Sequence, residues 1–216
     1  MNVNDVWAMT DGTNYLKGEG QTIHIADFNC NTNLDIYNGK TITNLDDGGS
    51  GESTFENDTV NNNHCNAVAN FALGNDTGGG DGIPFFGVAP DADVVLSSIP
   101  DFSGFQGTAY ALDLDAARAA GAIASNQSWT KCDATSGGFC SSTYDASEFD
   151  TLYENNKANF SLDELSGLRF CSLSSSTVTS GCTSAFQQYI TAIDNFQTVG
   201  VIVFANGNIS SDSDSA

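Results

Sequence analysis

A three-layer α/β fold, with a mostly parallel sheet and crossover helices, is predicted by three features of the sequence. Short apolar runs of strand length end at polar residues, segments of helical period lie between them, and glycine or proline marks the joins. A chain of 216 residues is long enough to bury a core and short enough to be one domain. The 40% of hydrophobic residues excludes a disordered acidic tail.

The elements follow in order. Thr22 to Asp27 comes after the Lys17-Gly18-Glu19-Gly20 turn and is a short apolar run closing on a carboxylate, as a buried strand does at its carboxyl edge. Asn29 to Asn63 is rich in Asn, Gly and Asp, too polar for a helix, with strand pieces around Lys40 to Leu45. From His64, the apolar residues Ala67, Val68, Ala69, Phe71, Ala72 and Leu73 recur at helical spacing, and Gly74 suits a left-handed cap, so His64 lies in the first turn of a helix. Asn75 to Gly82 reads as a glycine loop. The Gly87 to Asp93 turn feeds a strand over Val94 to Ile99. Ala109 to Ala120 is an alanine-rich helix broken by Gly121, and Ala122 to Trp129 is the next strand. Lys131 to Cys182 is rich in Ser, Thr and Gly and reads as a surface insertion, with one helix from Ala146 to Asn156. Ser184 to Phe196 is an amphipathic helix, and Gly200 to Ala205 a fully buried strand.

Charge and cysteine usage narrow the function. Six Lys and Arg stand against 27 Asp and Glu, a net charge of −21, with no basic patch. Nucleic acid and anionic membrane are therefore excluded as ordinary partners, since counterion release needs cationic side chains facing phosphates. No apolar run reaches the roughly 18 residues of a membrane span, and Met1 does not open a signal peptide. Six cysteines, with Cys132 near Cys140 and Cys171 near Cys182, read as disulfides stapling the insertion of a secreted or extracellular protein; buried thiols are the other reading. A zinc site lacks the needed Cys-x-x-Cys spacing.

In parallel sheets, reactive groups gather at the carboxyl ends of the strands. The residues to inspect are thus Asp27, Trp129 and Asn208, with His64 able to meet Asp27 across the sheet. Taken singly, Asp27 is a cap or loop anchor, His64 a structural histidine and Asn208 a turn residue. His24, in mid-strand, reads as structural. The setting changes the reading of the first three.

Five segments in order resemble the subtilisin-like serine proteases, the subtilases. Gly18 to Asp27 is similar to the strand that ends in their catalytic Asp, and His64 to Gly74 to their catalytic-His helix. Gly87-Val88-Ala89-Pro90 matches their Gly-Val-Ala-Pro turn. Asn126-Gln127-Ser128-Trp129 is similar to their substrate-binding strand, and Val201 to Asn208 to the strand ending in Gly-Asn. The resemblance implies a subtilisin-like fold, incomplete at its carboxyl end, with residues 1–216 a partial catalytic domain. It implies peptide-bond hydrolysis in which Asp27 orients His64, His64 is general base and then general acid, and Asn208 donates to the oxyanion. Ser128, Trp129 and Thr130 would pair with an extended peptide or protein substrate. No cofactor is implied beyond a structural calcium, for which Asp76 and Asp81 bracket the glycine loop; no ligand is assigned.

The chain departs from the family at identifiable positions. His64-Cys65-Asn66-Ala67 replaces His-Gly-Thr-His, and Asp27-Phe28-Asn29 replaces Asp-Thr/Ser-Gly. Cys65 beside His64, with Cys30 three residues after Asp27, raises a disulfide that pins the acid and base loops together. The nucleophile segment Gly-Thr-Ser-x-Ala-x-Pro is absent; Gly107-Thr108-Ala109 echoes it without a serine and out of order. The chain as written is therefore expected not to cut peptides, as a fragment of a longer reading frame. The competing reading is a secreted binding or adhesion module on the same fold, its catalytic residues decayed. A nucleotide-binding domain is disfavoured because neither Gly-x-Gly-x-x-Gly nor a phosphate loop is present.

Overall fold

Alternating side chains sort the core into two halves around a central sheet. The computed structural model describes residues 3–10, 12, 15–27, 30–45, 63–76, 85–98, 107–128 and 180–204. Five strands, β1 (Thr22–Asp27), β2 (Ile42–Leu45), β5 (Asp93–Ser98), β6 (Ala122–Gln127) and β7 (Val201–Phe204), form one sheet in the order β2-β5-β1-β6-β7. Every pairing in it is parallel. Between them run α2 (Asn63–Leu73), α3 (Gly107–Ala119) and α4 (Ser180–Gln197). Val94 and Leu96 of β5 join Ile25, Cys65, Ala69 and Leu73 on the α2 side. Val95, between them, joins Leu114, Ala117, Tyr189 and Phe196 of α3 and α4 on the opposite side. The three predicted layers are present. Burying a side chain such as Leu96, Leu114 or Phe196 contributes about 1.5–3 kcal/mol.

Two pieces of structure lie where none was predicted. A short helix α1 (Val3–Trp7) sits ahead of the sheet. A 3-10 turn, Asp35–Tyr37, buries Ile36 and Tyr37 within the polar stretch; two apolar residues in an Asn-rich segment leave no period to detect.

Four expectations are corrected. Gly74 is not a left-handed cap: it carries no positive φ, and its lack of a side chain serves close packing instead, since a Cβ there would lie 2.7 Å from the Asn70 carbonyl oxygen. Asn75–Asp76 is not loop but a short strand, β3, antiparallel to β4 (Phe85–Phe86); the remainder of that glycine loop lies outside the described residues. Nor is the last strand fully buried: Val201 and Val203 are 62% and 58% exposed. Among the described residues it stands at the end of the sheet with β6 as its partner, and Ile202 faces the α3–α4 core. The helix expected from Ser184 begins at Ser180, within the segment read as insertion, because its amino-terminal turn carries no apolar period. The rest of that insertion, with Cys132, Cys140, Cys171 and the Ala146 to Asn156 helix, lies outside the described residues.

The Gly87-Val88-Ala89 turn shows why its sequence is glycine-led. A helix leaves its last carbonyls without intrahelical partners. Here the turn's amides donate to α2 and the residue after it: Gly87 N to Gly74 O (2.8 Å), Val88 N to Phe71 O (3.0 Å) and Ala89 N to Ala72 O (2.9 Å). A Cβ on Gly87 would lie 2.6 Å from Asn70 O, Gly74 N and Leu73 N, all backbone atoms. Gly87→Ala is therefore expected to lower stability by about 3 kcal/mol. Chemical denaturation measures it, and a loss below about 1 kcal/mol would contradict the packing described. The same turn is held from the other side. The Trp7 indole donates to Val88 O, and the Lys40 ammonium donates to Pro90 O and Ala92 O. Burial lowers the Lys40 ammonium to about 8, against the pull of Asp91 and Asp93.

Candidate active site

The carboxyl edge of the sheet collects the predicted residues that the structure describes. Asp27 is the last residue of β1 and is fully buried. His64 is the second residue of α2, whose amino end points its dipole favourably at a carboxylate. His64 Nδ1 donates to Asp27, 2.8 Å from Oδ1 and 2.9 Å from Oδ2. The imidazole is half exposed while its acceptor is dry, so the pair joins a shielded carboxylate to a ring open to solvent. A carboxylate holding the Nδ1 hydrogen leaves Nε2 as the proton-accepting nitrogen. Tyr37 lies close by: burial first, then the negative charge of Asp27, push its phenol upward, so it stays neutral.

Ala26 pairs with Gln127, so Ser128 follows at the level of Asp27 on the neighbouring strand. Ser128 is partly buried and its hydroxyl donates to Asn126 Oδ1 at 3.0 Å. Phe204 pairs with Gln127 in parallel, so β7 ends at the same edge. Trp129, Thr130 and Asn208 lie outside the described residues.

A family model described as the subtilase family, peptidase S8, matches residues 18–216. The chain belongs to the subtilase family. No curated protein matches it. Similar solved structures include the S41 psychrophilic protease, at 19% identity and a TM-score of 0.48, covering 96% of this chain and 52% of that one. Sphericase gives 19% identity and a TM-score of 0.44, covering 95% and 52%. The prenylagaramide maturation protease PagA gives 16% and 0.39, covering 72% and 48%. This subtilase thus spans about half the length of those chains.

In this subtilase the segment after Asp27 is joined to the segment after His64. Cys30 and Cys65 form a disulfide with Cα atoms 5.2 Å apart, inside the usual range, and both are buried. Closing a loop across their 35-residue separation stabilises by about 4 kcal/mol in the chain-entropy account. One residue further on, Asn31 N donates to Asn66 Oδ1 at 3.1 Å. Neither asparagine stood out in the sequence; the signal was available once Cys30 is paired with Cys65, because the next residue of each segment must then be adjacent.

His24, read as structural, is fully buried on β1. Its Nδ1 shares a hydrogen bond with Ser125 Oγ at 2.9 Å and its Nε2 one with Ser97 Oγ at 2.8 Å, while Gln127 Nε2 donates to Ser125 Oγ. Strands β5, β1 and β6 are tied by side chains as well as backbone. Burial lowers the imidazole to about 3, so it is neutral at ordinary pH.

Asp76 lies in β3 and Asp81 outside the described residues. Among the described residues, no group of three or more His, Cys, Asp or Glu is placed to hold a metal ion. No helix among the described residues is long and apolar enough to cross a membrane.

Proposed function

We propose that this subtilase is part of the catalytic domain of a serine endopeptidase, with Asp27 and His64 as two members of an Asp–His–Ser triad. The 2.8 Å hydrogen bond from His64 Nδ1 to the buried Asp27 carboxylate is the observation that carries this reading. Asp27 fixes the imidazole tautomer and stabilises the imidazolium that forms when Nε2 takes the serine proton. The imidazolium then protonates the leaving amine. The attacking serine lies outside residues 1–216, so these residues alone are inactive. Asn208 supplies the oxyanion donor, a contribution of about 2.7–4 kcal/mol in comparable sites. The Ser128-Trp129-Thr130 segment adds an extended peptide or protein substrate to the sheet edge beside Asp27. Secretion is part of the same proposal: a disulfide next to the reactive pair persists in an oxidising compartment.

Treating the natural protein with a serine-reactive phosphonate tests this reading. Covalent labelling of one serine, abolished in His64→Ala, is the expected result. Normal folding without labelling would instead select the decayed binding or adhesion module.

A further inference from the structure

The contacts between the segments after Asp27 and His64 form a ladder. Its rungs are Asp27–His64, Cys30–Cys65 and Asn31–Asn66: a hydrogen-bonded charge, a covalent bond and a backbone-to-side-chain hydrogen bond. The last two use Cys65 and Asn66, at positions where the family pattern has glycine and threonine.

We infer that Cys30, Cys65, Asn31 and Asn66 act as a clamp that positions His64 on Asp27. The inference rests on the reading of that pair as acid and base. Its physical basis is the weakness of what else holds the ring. The His64 side chain is 55% exposed, so water competes for its nitrogens. It also sits in the first turn of α2, where the amides lack intrahelical partners and helices fray. The far end of α2 is fixed by the Gly87-Val88-Ala89 amides. A covalent tie at Cys65, adjacent to the histidine, removes fraying at the near end, and Asn66 accepts the Asn31 amide to set the rotation of that turn. Glycine and threonine at positions 65 and 66 are thus not missing without replacement: their substitutes bind to the acid segment itself. A base held in place before substrate arrives costs nothing to order during the reaction, and a misplacement near 1 Å lowers rate by about a hundredfold. The four residues touch no reacting atom and are positioning residues.

The test compares the natural protein with Cys30→Ala/Cys65→Ala, Asn66→Ala and Asp27→Asn, leaving the other four cysteines intact. Ring-nitrogen NMR reads the tautomer, the His64 signals being identified by their loss in His64→Ala. In the natural protein the His64 ring should carry its hydrogen on Nδ1. In Cys30→Ala/Cys65→Ala the ring should change to a mixture of tautomers, with kcat lower by about a hundredfold and KM within about twofold. Asn66→Ala should move both readouts the same way by a smaller amount, and it decides the matter where the double variant does not fold. An unchanged ring spectrum and kcat in the clamp variants, with a changed spectrum in Asp27→Asn, would overturn the clamp and leave the acid–base pair standing. An Asp27→Asn variant that keeps both the ring spectrum and hydrolysis would overturn the pair, and the clamp with it.

Discussion

Replacing Asp27 by Asn should lower kcat/KM of the natural protein for a fluorogenic peptide by about ten-thousandfold, the loss found when the orienting acid of such a triad is neutralised. Asn is nearly isosteric with Asp, so the end of β1 keeps its shape. What changes is the polarity of the group facing His64. An amide directs either its N–H or its oxygen at Nδ1. The first orientation drives the ring hydrogen to Nε2, where it blocks proton uptake. The second keeps the tautomer but removes the charge that stabilises the imidazolium. Asp27 is fully buried, so water does not restore that charge. Folding is a separate matter: Asn keeps the shape of the site and a hydrogen bond to the half-exposed ring, so the melting temperature should stay near that of the parent. A loss of less than about tenfold in kcat/KM, with the fold intact, would end the assignment of Asp27 and His64 as a working pair.

The second large effect is on stability in acid. His24 has an ordinary imidazole value of 6.5 in the unfolded chain and about 3 in the folded one, lowered by burial. Between those pH values the unfolded chain binds the extra proton and the folded chain does not, so stability falls as pH falls through that window. The full span corresponds to roughly 5 kcal/mol from this one ring. His24→Gln keeps hydrogen-bonding capacity toward Ser97 and Ser125 and cannot titrate. Urea unfolding at a series of pH values should show the parent losing stability faster than His24→Gln between pH 6.5 and about 3, the gap between them narrowing or reversing in acid. Parallel curves would mean that His24 is protonated in the folded state, or that water reaches it.

How much of this was legible in the sequence depended on period and punctuation. Strands such as Thr22–Asp27 and Ala122–Gln127, and the helix opening at Asn63, were visible because their apolar residues repeat and polar residues end them. The partnership of Asp27 and His64 was legible only through the family pattern, since 37 residues separate them and no local rule joins them. The exposure of Val201 and Val203 was not legible: an apolar run looks the same whether packed elements cover both its faces or one. Gly74 was misjudged because a glycine after a helix has two physical uses, a left-handed turn or close backbone packing, and composition does not separate them. The hydrogen bond from Asn31 to Asn66 went unseen because asparagine is abundant throughout this stretch and one more carries no signal.

The helix from Asn63 to Leu73 behaves as a rod seated in two sockets, one at the cystine near its start and one at the glycine turn beyond its end. Its register is therefore fixed. Deleting or inserting one residue between the sockets would rotate one end against the other by about 100° and shift it by about 1.5 Å. Substitution at outward positions such as Ala67 meets no such limit. Over evolutionary time this segment should tolerate changes of letter on its wet side while rejecting changes of count.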